Sequence, residues 1–167
     1  MNTDPDRLKR LAELEDGSPI GVGGWMFRKV LFLDIDGVLN SEQVLHDRGR
    51  HDAIDRGMVE QINRVVDATG CSIVISSTWR LLYKLPVLSS TLRLHGLRAN
   101  VIGATPLLER RDEEISAWLA DHPQVEQFAI VDDSPSDISR LEDRLVVTSW
   151  MTGILPEHAD ALIKLLS

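Results

Sequence analysis

The chain has 167 residues, 43% of them hydrophobic and 26% charged, and carries a formal net charge of −8. This length accommodates one domain with a substantial core, and this composition is that of a globular protein. The negative charge excludes nucleic-acid binding by a bulk basic face, and no apolar stretch approaches the ~20 residues that a bilayer-spanning helix needs.

The first 25 residues read as an extension ahead of a single domain over residues 26–167. "DRLKRLAELE" (6–15) has the spacing of a short amphipathic helix, and "DGSPIGVGG" after it is a Gly/Pro/Ser-rich flexible connection. This terminus lacks the apolar core of a secretory signal, so the expected location is cytoplasmic. Cys71 has no second cysteine to pair with, and its strand-like setting marks it as a small core residue.

From Lys29 the chain alternates. "KVLFLDI" is a strand-length apolar run, and residues 55–69 place Met58, Ile62, Val65 and Val66 at helical spacing before Gly70. "CSIVIS" predicts a second buried strand, and "TWRLLYKLPVLSSTLRLHG" a helix interrupted at Pro86. "ANVIG" predicts strand three, and "RDEEISAWLADH" a helix with acids in its first turn. "QFAIVDD" predicts strand four, "SPSDISRLE" a short helix, "RLVVTS" strand five and "PEHADALIKLLS" a closing helix. Alternation of this kind predicts a three-layer α/β/α, Rossmann-like fold around a five-stranded, mainly parallel sheet.

Ligands of such sheets bind at the carboxyl ends of the strands, so the polar residues there are the candidates for function. Strand one ends in Asp34-Ile35-Asp36-Gly37, strand two in Ser76-Ser77-Thr78-Trp79-Arg80, and strand four in Asp132-Asp133-Ser134-Pro135-Ser136-Asp137. Carboxylates gathered at one rim repel one another unless a cation offsets them, and an all-oxygen donor set suits Mg²⁺. Carboxylates, hydroxyls, a hard cation and an arginine are the components for binding and attacking a phosphoryl group.

These motifs, in this order, resemble those of the haloacid dehalogenase (HAD) superfamily over roughly residues 28–166. The match of "DIDGV" (34–38) to the family's DxDGx motif implies that Asp34 is the nucleophile and a Mg²⁺ ligand. It implies for Asp36 general acid and base chemistry, with its backbone carbonyl on the metal and Gly37 beside the substrate. Ser76 corresponds to the hydroxyl that binds the transferred phosphoryl group, with Ser77 one residue further on. Arg111 corresponds to the basic third motif, with Arg110 as its alternative. "VDDSPSD" resembles the fourth motif, which implies that Asp133 ligates Mg²⁺ while Asp132 and Asp137 stand behind it. Dehalogenases lack an acid two residues after the nucleophile, so Asp36 favours a phosphatase, although phosphomutases share it.

The segment "NSEQVLHDRGRH" is too short for a full cap domain, so the resemblance is to a minimally capped HAD phosphatase with an open site. "FLDIDGVLN", "SSTWR" and "VDD" are similar, more loosely, to HAD domains of RNA-repair proteins. The expected substrate is therefore a phosphomonoester, either a bulky one such as a nucleic-acid end or a small nucleotide or sugar phosphate. A non-catalytic binding module on the same fold is the other reading. Trp79 and Arg80 are candidates to clamp substrate, against the plainer reading of a core Trp and a solvated Arg. His46, Arg48, Arg50 and His51 form either a substrate-facing basic patch or a solvated loop.

Overall fold

A computed structural model describes residues 28–50 and 52–167. Residues 1–25, expected to form an extension, and His51 lie outside the described residues.

Strands β1 (Lys29–Leu33), β2 (Ser72–Ile75), β3 (Val101–Ala104), β4 (Gln127–Asp132) and β5 (Leu145–Val147) form one sheet in the order β3-β2-β1-β4-β5. Every pairing in it is parallel, which fits the expected fold. The central strand β1 is fully buried from Val30 to Leu33, which explains its unbroken apolar run: both faces are covered. Leu31, Leu33, Ile73 and Ile75 pack against helices α2 (Arg56–Thr69), α4 (Leu85–Leu94) and α6 (Pro156–Leu165). Val30, Phe32, Val74 and Ile130 turn to the other face and meet Ile115 and Trp118 of α5 (Arg111–Ala120) and Ile138. Phe32 and Trp118 contact edge to face at 5.5 Å.

Helix α2 starts where Asp55 accepts a hydrogen bond from the Met58 N–H at 3.0 Å and ends at Gly70, whose φ of 69° is the left-handed stop. Three elements depart from the expected pattern. The helical stretch after β2 breaks at Tyr83–Lys84, between α3 (Trp79–Leu82) and α4, so Pro86 lies in the first turn of α4 rather than interrupting a helix. "SPSDISRLE" is, after its cap residue Ser134, part of a 3₁₀ segment, Pro135–Arg144, with non-helical backbone at Ile138 and Leu141. The segment after β1 carries a seven-residue helix, α1 (Glu42–Arg48), capped by Ser41 and Gly49. None of its residues is buried, and a helix without an apolar stripe has no periodicity to reveal it. Nothing larger than α1 separates β1 from α2, so the described residues hold no large cap domain.

No helix among the described residues is long and apolar enough to cross a membrane.

Candidate active site

The site forms at the carboxyl rim because each strand changes from apolar to acidic or hydroxylic there. Asp34 follows β1, its N–H held by the Val131 carbonyl of β4 at 3.2 Å, and the residue is 6% exposed. Asp132 ends β4 and is 1% exposed. Asp34, Asp132 and Asp133 each present a carboxylate oxygen within 4.8 Å of the others. Three carboxylate oxygens gathered this closely are the all-oxygen donor set that a hard divalent ion such as Mg²⁺ takes.

The crowding of these acids also shows in their electrostatics. Burial raises the Asp34 carboxyl above its ordinary range, Arg111 and a hydrogen bond from Ser77 oppose the shift, and Asp133 adds to it. Burial, with Asp34 next to it, pushes Asp132 up to about 7. Arg111, first residue of α5, reaches Asp132 at 2.7 Å and Asp34 at 3.4 Å and so sets a guanidinium directly against these acids. Arg110 points elsewhere: it grips Asp112 through two bonds, at 2.9 and 3.1 Å, and also reaches Ser136 and Ser139.

The raised Asp132 group has a consequence for stability. Between its unfolded value of 3.8 and its folded value of about 7, the folded state holds a proton that the unfolded chain has released. This contribution therefore stabilises the metal-free protein in acid and is lost as pH rises through that window. A cation bound at these acids would compete with the proton, so thermal stabilisation by Mg²⁺ is expected to be larger at pH 8 than at pH 5. Thermal denaturation of wild type and Asp132→Asn, each with and without Mg²⁺, isolates the effect from the acids that run the other way, such as Asp112.

Asp36 is turned away from the cluster. Its Oδ1 accepts from Asn40 Nδ2 at 2.8 Å and its Oδ2 from the Trp79 indole N–H at 2.9 Å. Trp79 is buried, and its ring N–H fixes this carboxylate, a polar contact beyond the plain core reading.

Gly37 lies beside the two acids at φ 72°. A Cβ there would sit 2.2 Å from Asp133 Oδ2, so only glycine lets the turn after β1 pass beneath that acid. Its N–H donates to Asn40 Oδ1 at 2.9 Å and its carbonyl accepts from Thr148 at 2.7 Å, which fixes the turn beside the acids. Gly37→Ala is expected to displace Asp133, weaken Mg²⁺ binding at least tenfold and cost about 1–2 kcal/mol for the left-handed backbone. Calorimetric Mg²⁺ titration and a melting curve check both.

Ser76 and Ser77 follow β2. Ser76 is fully buried, and its hydroxyl has no partner among the described residues. Ser77 accepts from the Trp79 N–H at 3.3 Å and bonds Asp34. Arg80, expected either to clamp substrate or to face solvent, has a side chain that is only 8% exposed and ion-paired with Glu114 at 2.7 Å. It also donates to the carbonyls of Ser76, Ser77, Thr105 and Pro106. Asp137 is exposed and lies outside the carboxylate cluster, near Arg110 instead. Asp132, expected behind the metal ligands, stands in the cluster, with Oδ2 on Arg111 and Oδ1 on the Ser134 N–H.

A cavity of about 280 Å³ is lined by Trp79 together with Arg48, Arg50, Tyr83 and His95 among others. Both arginines already have acidic partners, Asp55 and Asp52. Asn40, Thr148 and Glu114 carry no signal in the sequence, because their roles are contacts between distant segments that no local spacing announces.

The sequence model of a protein family described as the HAD domain in Swiss Army Knife RNA repair proteins matches residues 30–159. No curated protein and no solved structure shows a significant match. The matched span holds all three clustered acids, Asp36, both serines and Arg111, and on it the chain belongs to this family of HAD domains, within the HAD superfamily of phosphatase-type hydrolases.

Proposed function

We propose that this domain is a Mg²⁺-dependent phosphomonoester hydrolase working through an aspartyl-phosphate, with nucleic-acid ends as its substrate class. The observation that carries the reading is the divergence of two acids two residues apart. Asp34 faces Arg111 and the other acids, while Asp36 is held aside by Asn40 and Trp79. One carboxylate is thus free to meet phosphorus while the other stands where a leaving group can take its proton.

In the first step an Asp34 carboxylate oxygen bonds to phosphorus as the ester P–O bond breaks, and Asp36 gives its proton to the departing oxygen. In the second, Asp36 takes a proton from water as that water attacks phosphorus, which breaks the acyl-phosphate bond and returns Asp34 as a carboxylate. Ser76 and Ser77 donate to the phosphoryl oxygens, and Arg111 offsets their charge. Asp34, Asp133 and the Asp36 backbone carbonyl would hold Mg²⁺, with Asp132 beside them on Arg111. Bound there, the ion supplies positive charge that draws the phosphoryl oxygens in and balances the acids.

The short α1 leaves the rim open to a bulky substrate, and the family's description names RNA-repair proteins. Phosphate release tests the proposal, measured with and without Mg²⁺ on oligonucleotides phosphorylated at either end, nucleotides, sugar phosphates and an aryl phosphate. Mg²⁺-dependent release, fastest from oligonucleotide ends, is expected. Preference for nucleotides or sugar phosphates would make it a small-molecule phosphatase, and no release from any would make it a binding module.

A further inference from the structure

Two buried side-chain polar atoms lack a partner among the described residues, the hydroxyls of Ser76 and Thr105. Thr105 directly follows β3 and is 4% exposed. The two are neighbours in the sheet: Ile75 pairs with Ala104, the Thr105 N–H donates to the Ile75 carbonyl at 3.0 Å, and Ser76 and Thr105 come next on each strand. Ile75 and Ala104 pack on the α2/α4/α6 side, so alternation turns the next residue of each strand toward α5. The same step brings Asp34 and Asp132 to that face, because Leu33 and Val131 before them also pack on the α2/α4/α6 side. Four polar side chains therefore cross the rim in a row, Thr105, Ser76, Asp34 and Asp132, about 4.8 Å apart strand to strand.

The row is acidic at one end and hydroxylic at the other, and its hydroxyl end is rigidly built. Buried Arg80 ties the backbone on both sides, through Nε to the Thr105 carbonyl at 3.0 Å and Nη1 to the Ser76 carbonyl at 3.0 Å. Glu114 balances its charge. Two fixed, unpartnered hydroxyls one strand apart can both donate to a single acceptor lying between them, and leaving them empty is costly in a buried site.

We propose that Thr105 is a second hydroxyl donor of the phosphoryl pocket, sharing with Ser76 one oxygen of the phosphoryl group bound at Asp34. This rests on the reading of Asp34 as the phosphoryl site. Arg80 is then a positioning residue that sets the distance between the two hydroxyls.

Thr105→Val keeps the shape of the side chain and removes the donor. Binding of inorganic phosphate in the presence of Mg²⁺, measured by calorimetry, is expected to weaken about tenfold. The melting temperature of the ligand-free protein is expected to stay level or rise, because an unpartnered buried hydroxyl has gone. Thr105→Ser should bind phosphate within about threefold of wild type. A purely packing role would lower the melting temperature and leave phosphate affinity alone. If Val is not accommodated, Thr105→Ala set against Thr105→Ser isolates the hydroxyl equally well. Thr105→Val that binds phosphate as tightly as wild type would overturn this proposal alone, and wild type that binds none would overturn the phosphoryl-site reading beneath it.

Discussion

Asp34→Asn is expected to lower turnover of every phosphomonoester substrate by at least about 10⁴-fold while the protein melts no lower than wild type. The loss follows from removing the nucleophile: an amide oxygen is too weakly basic to attack phosphorus, and no neighbouring acid occupies its position. The preserved stability follows from the electrostatics. Asp34 is a nearly buried carboxylate, raised by burial and set beside Asp132 and Asp133, so neutralising it relieves repulsion in the ligand-free state. Arg111 keeps its shorter contact, 2.7 Å to Asp132, after the change. Steady-state phosphate release together with a thermal melt checks both halves. Lost activity with a collapsed melting temperature would make Asp34 a structural residue.

Arg111→Ala should damage both stability and activity. Its guanidinium contacts Asp132 at 2.7 Å, Asp34 at 3.4 Å and Glu114 at 3.9 Å, with only 14% of the side chain exposed. Removing one member of a buried charge network leaves the rest uncompensated, at a cost of about 3–5 kcal/mol. Mg²⁺ should recover part of that loss, because it supplies charge to the same acids. Activity should fall about 10²–10³-fold, as for loss of one oxyanion-stabilising donor. Arg110→Ala gives the contrast. It breaks the bidentate pair with buried Asp112 and so also destabilises, but the folded fraction should keep its kcat/KM. Chemical denaturation with and without Mg²⁺, followed by kinetics below the transition, separates the two arginines.

How far the site can be read from the sequence depends on how local each contact is. Asp34, Asp36 and Gly37 are legible because two acids and a glycine closing a buried apolar run are costly unless a ligand offsets the charge, and Asp132–Asp133 repeats the pattern at the end of β4. The sheet follows from runs such as "LFL" and "IVI", whose burial on both faces demands helices on both sides. Contacts across the sheet are not legible. The Trp79 indole N–H reaches Asp36 over 43 residues and Thr148 reaches the Gly37 carbonyl over 111. Arg80 reads as a residue free to meet substrate, because Glu114 and the Thr105 and Pro106 carbonyls that hold it lie far along the chain. Asp137 resembles a supporting acid by spacing alone, but the 3₁₀ geometry after Pro135 carries it outward, near Arg110.

A single-turnover experiment tests the aspartyl-phosphate most directly. Enzyme is mixed with excess Mg²⁺ and an oligonucleotide radiolabelled in its terminal phosphate, quenched in acid within the first turnover, and the protein is counted. The account predicts label on wild type that hydroxylamine removes, as it does from an acyl-phosphate, and none on Asp34→Asn. Turnover by wild type without labelled protein, while Asp34→Asn hydrolyses the same substrate at a comparable rate, would contradict it.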